Sequence, residues 1–155
     1  MTIIAKVAYP DENTPLLLLL VLATRQLVDG LQSRLVAAGF EDHRVVHHNV
    51  MAHVTYDGIR LTELADRAGV TKQAMSELVA DLERLGYLQR TADPHDGRAK
   101  LITFTDRGHA AVVAATAAFD DMEAQLTDHL GPSAMAAMRR GLLSMAQSPP
   151  APPRR

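Results

Sequence analysis

The sequence has no cysteine. That excludes disulfides, thiol catalysis and cysteine-based redox or metal sensing, and it fits a reducing compartment. Tryptophan is absent too, and aromatics are scarce, with three Phe and three Tyr in 155 residues. Proteins that grip single-stranded nucleic acid stack bases on aromatic platforms, so any nucleic-acid partner of this chain is expected to be a duplex. An excess of positive charge is also missing, the formal net charge being -2. Binding to a polyanion would have to come from the placement of a few cations and not from bulk charge. Long apolar runs are lacking. Leu16 to Ala23 is soon followed by Arg25, far short of the roughly 20 residues that a membrane span needs. Lys6 alone is a poor basic start for a signal peptide. A cytoplasmic protein with no membrane segment is expected.

The signatures of catalysis are missing as well. There are no paired catalytic carboxylates, no Gly-rich phosphate loop and no nucleophile elbow. His47, His48 and His109 are the only candidate general bases, and no nucleophile is placed near them. The chain reads as a non-enzyme with no cofactor and no metal site.

What is present suits a globular domain, since 47% of the residues are hydrophobic and the length suffices for a core. Thr14-Pro15 is a helix start. The helix it opens is apolar on all sides at first, then thins to Leu27, Val28, Leu31, Leu35 and Val36, and Gly39 stops it. A small domain buries such a helix most easily against a second subunit. Residues 40–55 form a second helical pattern with Val46, Val50 and Val54 as its stripe. His43, His47 and His48 accompany that stripe and are candidate ligand- or pH-sensing groups. His43 and His47 are one helical turn apart, but no carboxylate–histidine pattern completes a metal site.

The densest pattern runs from Ile59 to Gly108. Ile59 to Leu61 is a short strand. Thr62 opens a helix with Leu64, Ala65 and Ala68 inside, ending at Gly69. Val70 plugs the turn, and Thr71 caps the next helix, which buries Ala74, Leu78, Leu82 and Leu85 and stops at Gly86. Two strand-like arms follow, Tyr87 to Thr91 and Lys100 to Thr105, joined by the turn-rich loop ADPHDGRA. This order, helix–turn–helix then hairpin, is the sequence form of a winged helix-turn-helix. In that arrangement Thr71, Lys72, Gln73 and Ser76 face major-groove base edges or phosphate. Arg98, Lys100 and Arg90 are wing cations, of which Arg98 suits a narrow minor groove. Between Arg67 and Arg107 there are seven basic and six acidic residues, so placement carries the case. Glu77, which follows the groove candidates, repels phosphate unless it accepts from cytosine or lies off the groove.

The segments LTELA, VTKQAMSELVADLERLGYLQR, DPHDGRA and LITFTDRG resemble the winged-helix core of the multiple-antibiotic-resistance regulator (MarR) family. The resemblance implies a mainly α fold with a small β-hairpin wing, one domain over 1–155. Its winged helix-turn-helix core is 58–105, with dimerisation helices at 14–38 and 105–147; the Pro-rich tail SPPAPPRR, 148–155, is expected from its composition to be extended and disordered. It implies a homodimeric transcription regulator that binds a pseudo-palindromic operator on double-stranded DNA, a repressor released by a small-molecule effector. It places Asp96 as the residue that orients Arg98. Gly97 stands where the family's DxRRA form has an arginine, so one wing contact is expected to be missing. The alternative is a winged-helix protein-interaction module that does not touch DNA. The last two helices are expected to run from Thr105 to about His129, rich in alanine, and past Gly131-Pro132 with Met135, Met138, Leu142 and Met145 on one stripe.

Overall fold

The structure is a computed structural model that describes residues 10–147. Residues 1–9 and the tail 148–155, expected to be disordered, lie outside the described residues. The chain divides into two compact units, 1–118 and 119–155, each described by itself.

The first unit opens with α1 (Leu16–Ala37). Its N-cap is Pro15 and not Thr14. The Thr14 hydroxyl instead closes a local turn by accepting from the Asp11 amide at 2.9 Å. Leu31 and Leu35 are buried, but Leu17 is 75% and Val21 56% exposed. By length and composition alone α1 could cross a membrane. It carries Arg25, Asp29 and Arg34, and Arg25 pairs with Asp29 at 3.8 Å.

The second helix is shorter than its pattern suggests: α2 is Val45–Met51. His43 lies before it, in a turn closed by its own amide on the Phe40 carbonyl at 3.1 Å. The expected valine stripe is also corrected. Val50 and Val54 are buried, Val46 is 53% exposed, and His47 takes the inner position.

The winged core follows as β1 (Ile59–Arg60), α3 (Leu61–Ala68), α4 (Lys72–Arg84), β2 (Leu88–Asp93) and β3 (Asp96–Phe104). Arg60, not Thr62, is the N-cap of α3. At its other end Gly69 adopts φ 68, a left-handed conformation that costs a side-chain-bearing residue about 1 kcal/mol or more. Thr71 caps α4 as expected, its hydroxyl accepting from the Ala74 amide at 3.2 Å. The buried stripe of α4 is Met75, Val79 and Leu82, one position along from the expected Ala74 and Leu78. Leu78 and Leu85 pack at its margin.

The three strands form one antiparallel sheet in the order β1-β3-β2. Ile102 on β3 lies opposite both Ile59 and Arg90. Leu64, Met75, Val79, Leu82, Tyr87 and Ile102 fill the core between this sheet and the helices, each worth about 1.5–3 kcal/mol in buried apolar surface. The loop expected between the arms is mostly strand. Asp93 pairs with Asp96, which leaves Pro94 and His95 as the turn.

The long helix α5 (Asp106–Leu130) starts where Thr105 accepts from the Gly108 amide at 3.0 Å and donates to the Gly86 carbonyl at 2.5 Å. Gly108 sits against the core so closely that a Cβ there would lie 2.1 Å from the Tyr87 carbonyl oxygen. In the second unit, the end of α5 precedes α6 (Pro132–Gln147), which buries no residue. Met138, Leu142, Leu143 and Met145 are all at least 40% exposed.

Candidate nucleic-acid interface

One face of α4 is spent on the core, and the residues half a turn away from that face point outward. Gln73, Glu77, Ala80 and Arg84 are exposed. Their spacing of four, three and four places them on a single stripe. Ser76 is half-buried beside the stripe, and Thr71 and Lys72 are exposed at the helix start. Gln73 donates its side-chain amide to the Glu77 carboxylate at 3.4 Å. The acids farther along α4 are occupied. Asp81 binds Arg84 and Arg44, and Glu83 binds Arg90 at 3.2 Å. The Arg84 contact, followed by that of His47, lowers the Asp81 pKa to about 2.

Beside the start of α4 is a concavity of about 240 Å³ lined by Arg60, Leu61, Thr62, Lys72, Arg90, Ala99, Lys100 and Ile102. Three of the expected interface cations, Lys72, Arg90 and Lys100, therefore meet in one place. Arg60 joins them, and sequence reasoning missed it. Two of the four are neutralised, Arg90 by Glu83 and Arg60 by Asp93. Lys72 and Lys100 have no ion-pair partner among the described residues.

Arg60 has a second consequence. Its Nε and Nη2 donate to Asp93 Oδ2 at 2.9 and 2.5 Å, and Nη2 lies 3.5 Å from Asp96 Oδ2. Asp93 Oδ1 accepts from the His95 amide at 2.8 Å. These contacts, the His95 amide first, hold the Asp93 carboxyl below its usual range. Asp96 Oδ1 accepts from the Arg98 backbone amide at 3.2 Å, so Asp96 touches Arg98 through the main chain. Arg98 is exposed on β3 and not at the tip of the hairpin. The ion pair joins residues 33 positions apart, and no local pattern announces it.

The histidines gather at the junction of α1, α2 and α4. His43 and His48 stack with ring centroids 5.1 Å apart, and His43 meets His47 edge-on at 5.3 Å. His47 is fully buried. Its Nδ1 accepts from the Arg44 amide at 3.1 Å, and its Nε2 lies 3.0 Å from Asp81 Oδ2. The Arg44 amide needs a lone pair on Nδ1, so neutral His47 carries its proton on Nε2 and donates to Asp81. Gln32 on α1 donates to the His43 carbonyl at 2.5 Å. Gln32 Oε1, His43 Nδ1 and His48 Nε2 are buried with no partner among the described residues. Burial, with His48 and His47 alongside, pushes the His43 pKa down to about 4. Burial lowers His47 and His48 too. Among the described residues no cluster of three metal-ligating side chains is present.

Nearby, Asp42 accepts from the Tyr87 hydroxyl at 2.6 Å and from both terminal nitrogens of Arg107, whose guanidinium sits 4.4 Å over the Tyr87 ring. Burial and the bond to Asp42 drive the Tyr87 pKa well up, so this phenol stays a neutral donor.

Comparison with known proteins matches residues 43–99 to the family model described as MarR family. No curated protein matches the chain. Among solved structures, a MarR-family transcriptional regulator from Rhodococcus sp. RHA1 is 26% identical, with TM-score 0.64 over 83% of this chain and 90% of that one. CouR from Rhodococcus jostii RHA1, bound to p-coumaroyl-CoA, is 26% identical with TM-score 0.65 over 86% and 93%. MepR from S. aureus, solved as a DNA complex, is 26% identical with TM-score 0.68 over 87% and 98%.

Proposed function

We propose that the chain, whose residues 43–99 match the MarR family model and whose fold is similar to that of MarR-family transcriptional regulators, is a DNA-binding regulator of that family acting as a homodimeric repressor. It binds a pseudo-palindromic operator on duplex DNA and leaves it when a small-molecule effector binds. The observation that carries this reading is the outward stripe of α4, held by a buried Met75, Val79 and Leu82. The stripe is flanked by the concavity with Lys72, Arg90 and Lys100. Thr71, Lys72, Gln73 and Ser76 enter the major groove, where Gln73 suits adenine and Lys72 reaches guanine or phosphate. Arg98 goes from the wing to the minor groove, with Asp96 orienting it. Arg90 and Lys100 contact phosphate.

Dimerisation is supported by apolar surface. Leu16, Leu17 and Val21 on α1, and Leu143 and Met145 on α6, are more than half exposed, more than a monomer leaves in water without use. The effector site is assigned to the histidine junction of α1 and α2. There His43 and His48 offer unpaired ring nitrogens, and His47 is engaged by Asp81. CouR's solved complex with p-coumaroyl-CoA supports release by a small-molecule effector in this chain. A cytoplasmic site of action and no catalytic step complete the reading.

The test is selection of bound fragments from a random DNA pool. Enrichment of an inverted repeat with half-sites about 10 base pairs apart, centre to centre, is expected. If no DNA is enriched and a protein partner is retained instead, the chain is an interaction module and the regulator reading fails.

A further inference from the structure

Glu77 is the one feature of the outward face that phosphate binding does not explain. It is exposed midway along the stripe Gln73, Glu77, Ala80 and Arg84, opposite the buried Met75, Val79 and Leu82. It cannot turn off the groove side without unseating the helix. The other acids of α4, Asp81 and Glu83, are neutralised by arginines. Glu77 has no cation partner among the described residues and meets only the Gln73 amide, at 3.4 Å. A bare carboxylate in the middle of a DNA-facing surface repels the phosphates on both sides and lowers affinity for any duplex. It is compensated where the groove floor presents a donor.

We infer that Glu77 is a specificity-determining residue, whose carboxylate accepts a hydrogen bond from the exocyclic amino group of a cytosine one or two base pairs from the base read by Gln73. The inference rests on the DNA-binding reading above. An ionised carboxylate only accepts, and cytosine N4 is the major-groove donor it matches. Residues four apart on a helix rise about 6 Å, less than two base-pair steps of 3.4 Å, so Gln73 and Glu77 reach adjacent or next-adjacent pairs. The bond from Gln73 uses one amide hydrogen. It leaves the second hydrogen and the carbonyl oxygen for the N7 and N6 of adenine, so the two side chains form one reading unit. Ala80, the next residue along, is small and keeps the floor accessible.

The test measures the affinity of the parent, Glu77→Gln, Glu77→Ala and Gln73→Ala for the selected operator and for its single-base-pair variants. The parent should prefer cytosine at one position per half-site by roughly 5- to 150-fold. Glu77→Gln should move that preference to adenine. Glu77→Ala should abolish it and bind unrelated duplex more tightly. Gln73→Ala should relax the position read by Gln73 instead. All variants should melt like the parent, since both side chains are exposed. If both Glu77 variants keep the parent's preference everywhere, the inference is overturned. It is equally overturned if they relax only the base that Gln73→Ala relaxes, because Glu77 would then merely position Gln73. A parent that enriches no DNA at all fails before any variant is made, and that result removes the regulator reading together with this one.

Discussion

The winged core and the helices that flank it solve the burial problem differently. From Ile59 to Phe104 the apolar residues close on one another, and Leu64, Met75, Val79 and Leu82 lose all contact with water. In α1 only Leu31 and Leu35 are buried, and α6 buries nothing. One region is finished within a single chain, while the flanking helices carry apolar faces that a single chain leaves open. The finished region presents a polar stripe on α4, and the unfinished helices leave apolar side chains exposed.

The largest expected effect breaks the open side of that comparison. Replacing Leu17 and Val21 with Glu should weaken self-association by about 4 kcal/mol, taking about 2 for each interface anchor. Operator binding should collapse while the circular-dichroism signature of the winged core survives. Sedimentation of the double variant checks this, and an unchanged dimer would place the interface elsewhere.

The histidine junction comes next, because its polar groups are closed in as tightly as the core. His43 has its pKa lowered from 6.5 to about 4 by burial. Above pH 6.5 it is neutral in both the folded and the unfolded chain, and the stability is fully present. As pH falls below 6.5 the unfolded chain takes up a proton that the folded chain refuses. Stability then declines until about pH 4, by about 3 kcal/mol from His43 alone. His47 and His48 are lowered in the same direction. Protonating His47 would also turn Nδ1 from an acceptor into a donor facing the Arg44 amide. Asp81, at about 2, loses its contribution only at more acid pH, as does Asp42, which Tyr87 and Arg107 hold low against the burial that would raise it. Urea unfolding at pH 7 and pH 4.5 reads the decline, and His43→Phe should make it shallower, leaving the part that His47 and His48 contribute.

A smaller effect tests the fit of the finished core. Gly108→Ala puts a Cβ 2.1 Å from the Tyr87 carbonyl, and about 2 kcal/mol of stability should be lost, visible in thermal unfolding. The smallest effects concern the wing. Arg98→Ala should weaken operator binding by roughly 1–3 kcal/mol. Gly97 has no positive φ, and a Cβ there meets nothing within 4 Å, so Gly97→Arg should fold normally and strengthen binding. Fluorescence anisotropy at matched salt separates the two. Equal affinities for both variants and the parent would take the wing out of the interface.

What was legible in the sequence was local. Gly69 and the Thr71 cap are set by residues within a turn of each other, and they stand where the pattern puts them. The core arc of α4 was read one position off because Ala74, Leu78 and Leu82 keep helical spacing as well as Met75, Val79 and Leu82 do. Only packing against the sheet decides between them. The wing looked like a loop because Asp, Pro and Gly are turn residues. It is extended because the strand ladder continues and Arg60 grips Asp93 from 33 positions away. The inner stripe of α2 differs from its valine pattern for a related reason. His47 faces inward to Asp81, 34 positions away, and a histidine pattern does not say which carboxylate it will find.

The central claim is that α4 and the wing bind duplex DNA through a few placed cations. Titrating the affinity for the selected operator against salt tests it most directly. Log affinity should fall linearly with log salt, at about 0.9 per phosphate neutralised, and Lys72→Ala should lower that slope by about 1. A flat response in the parent would contradict the account.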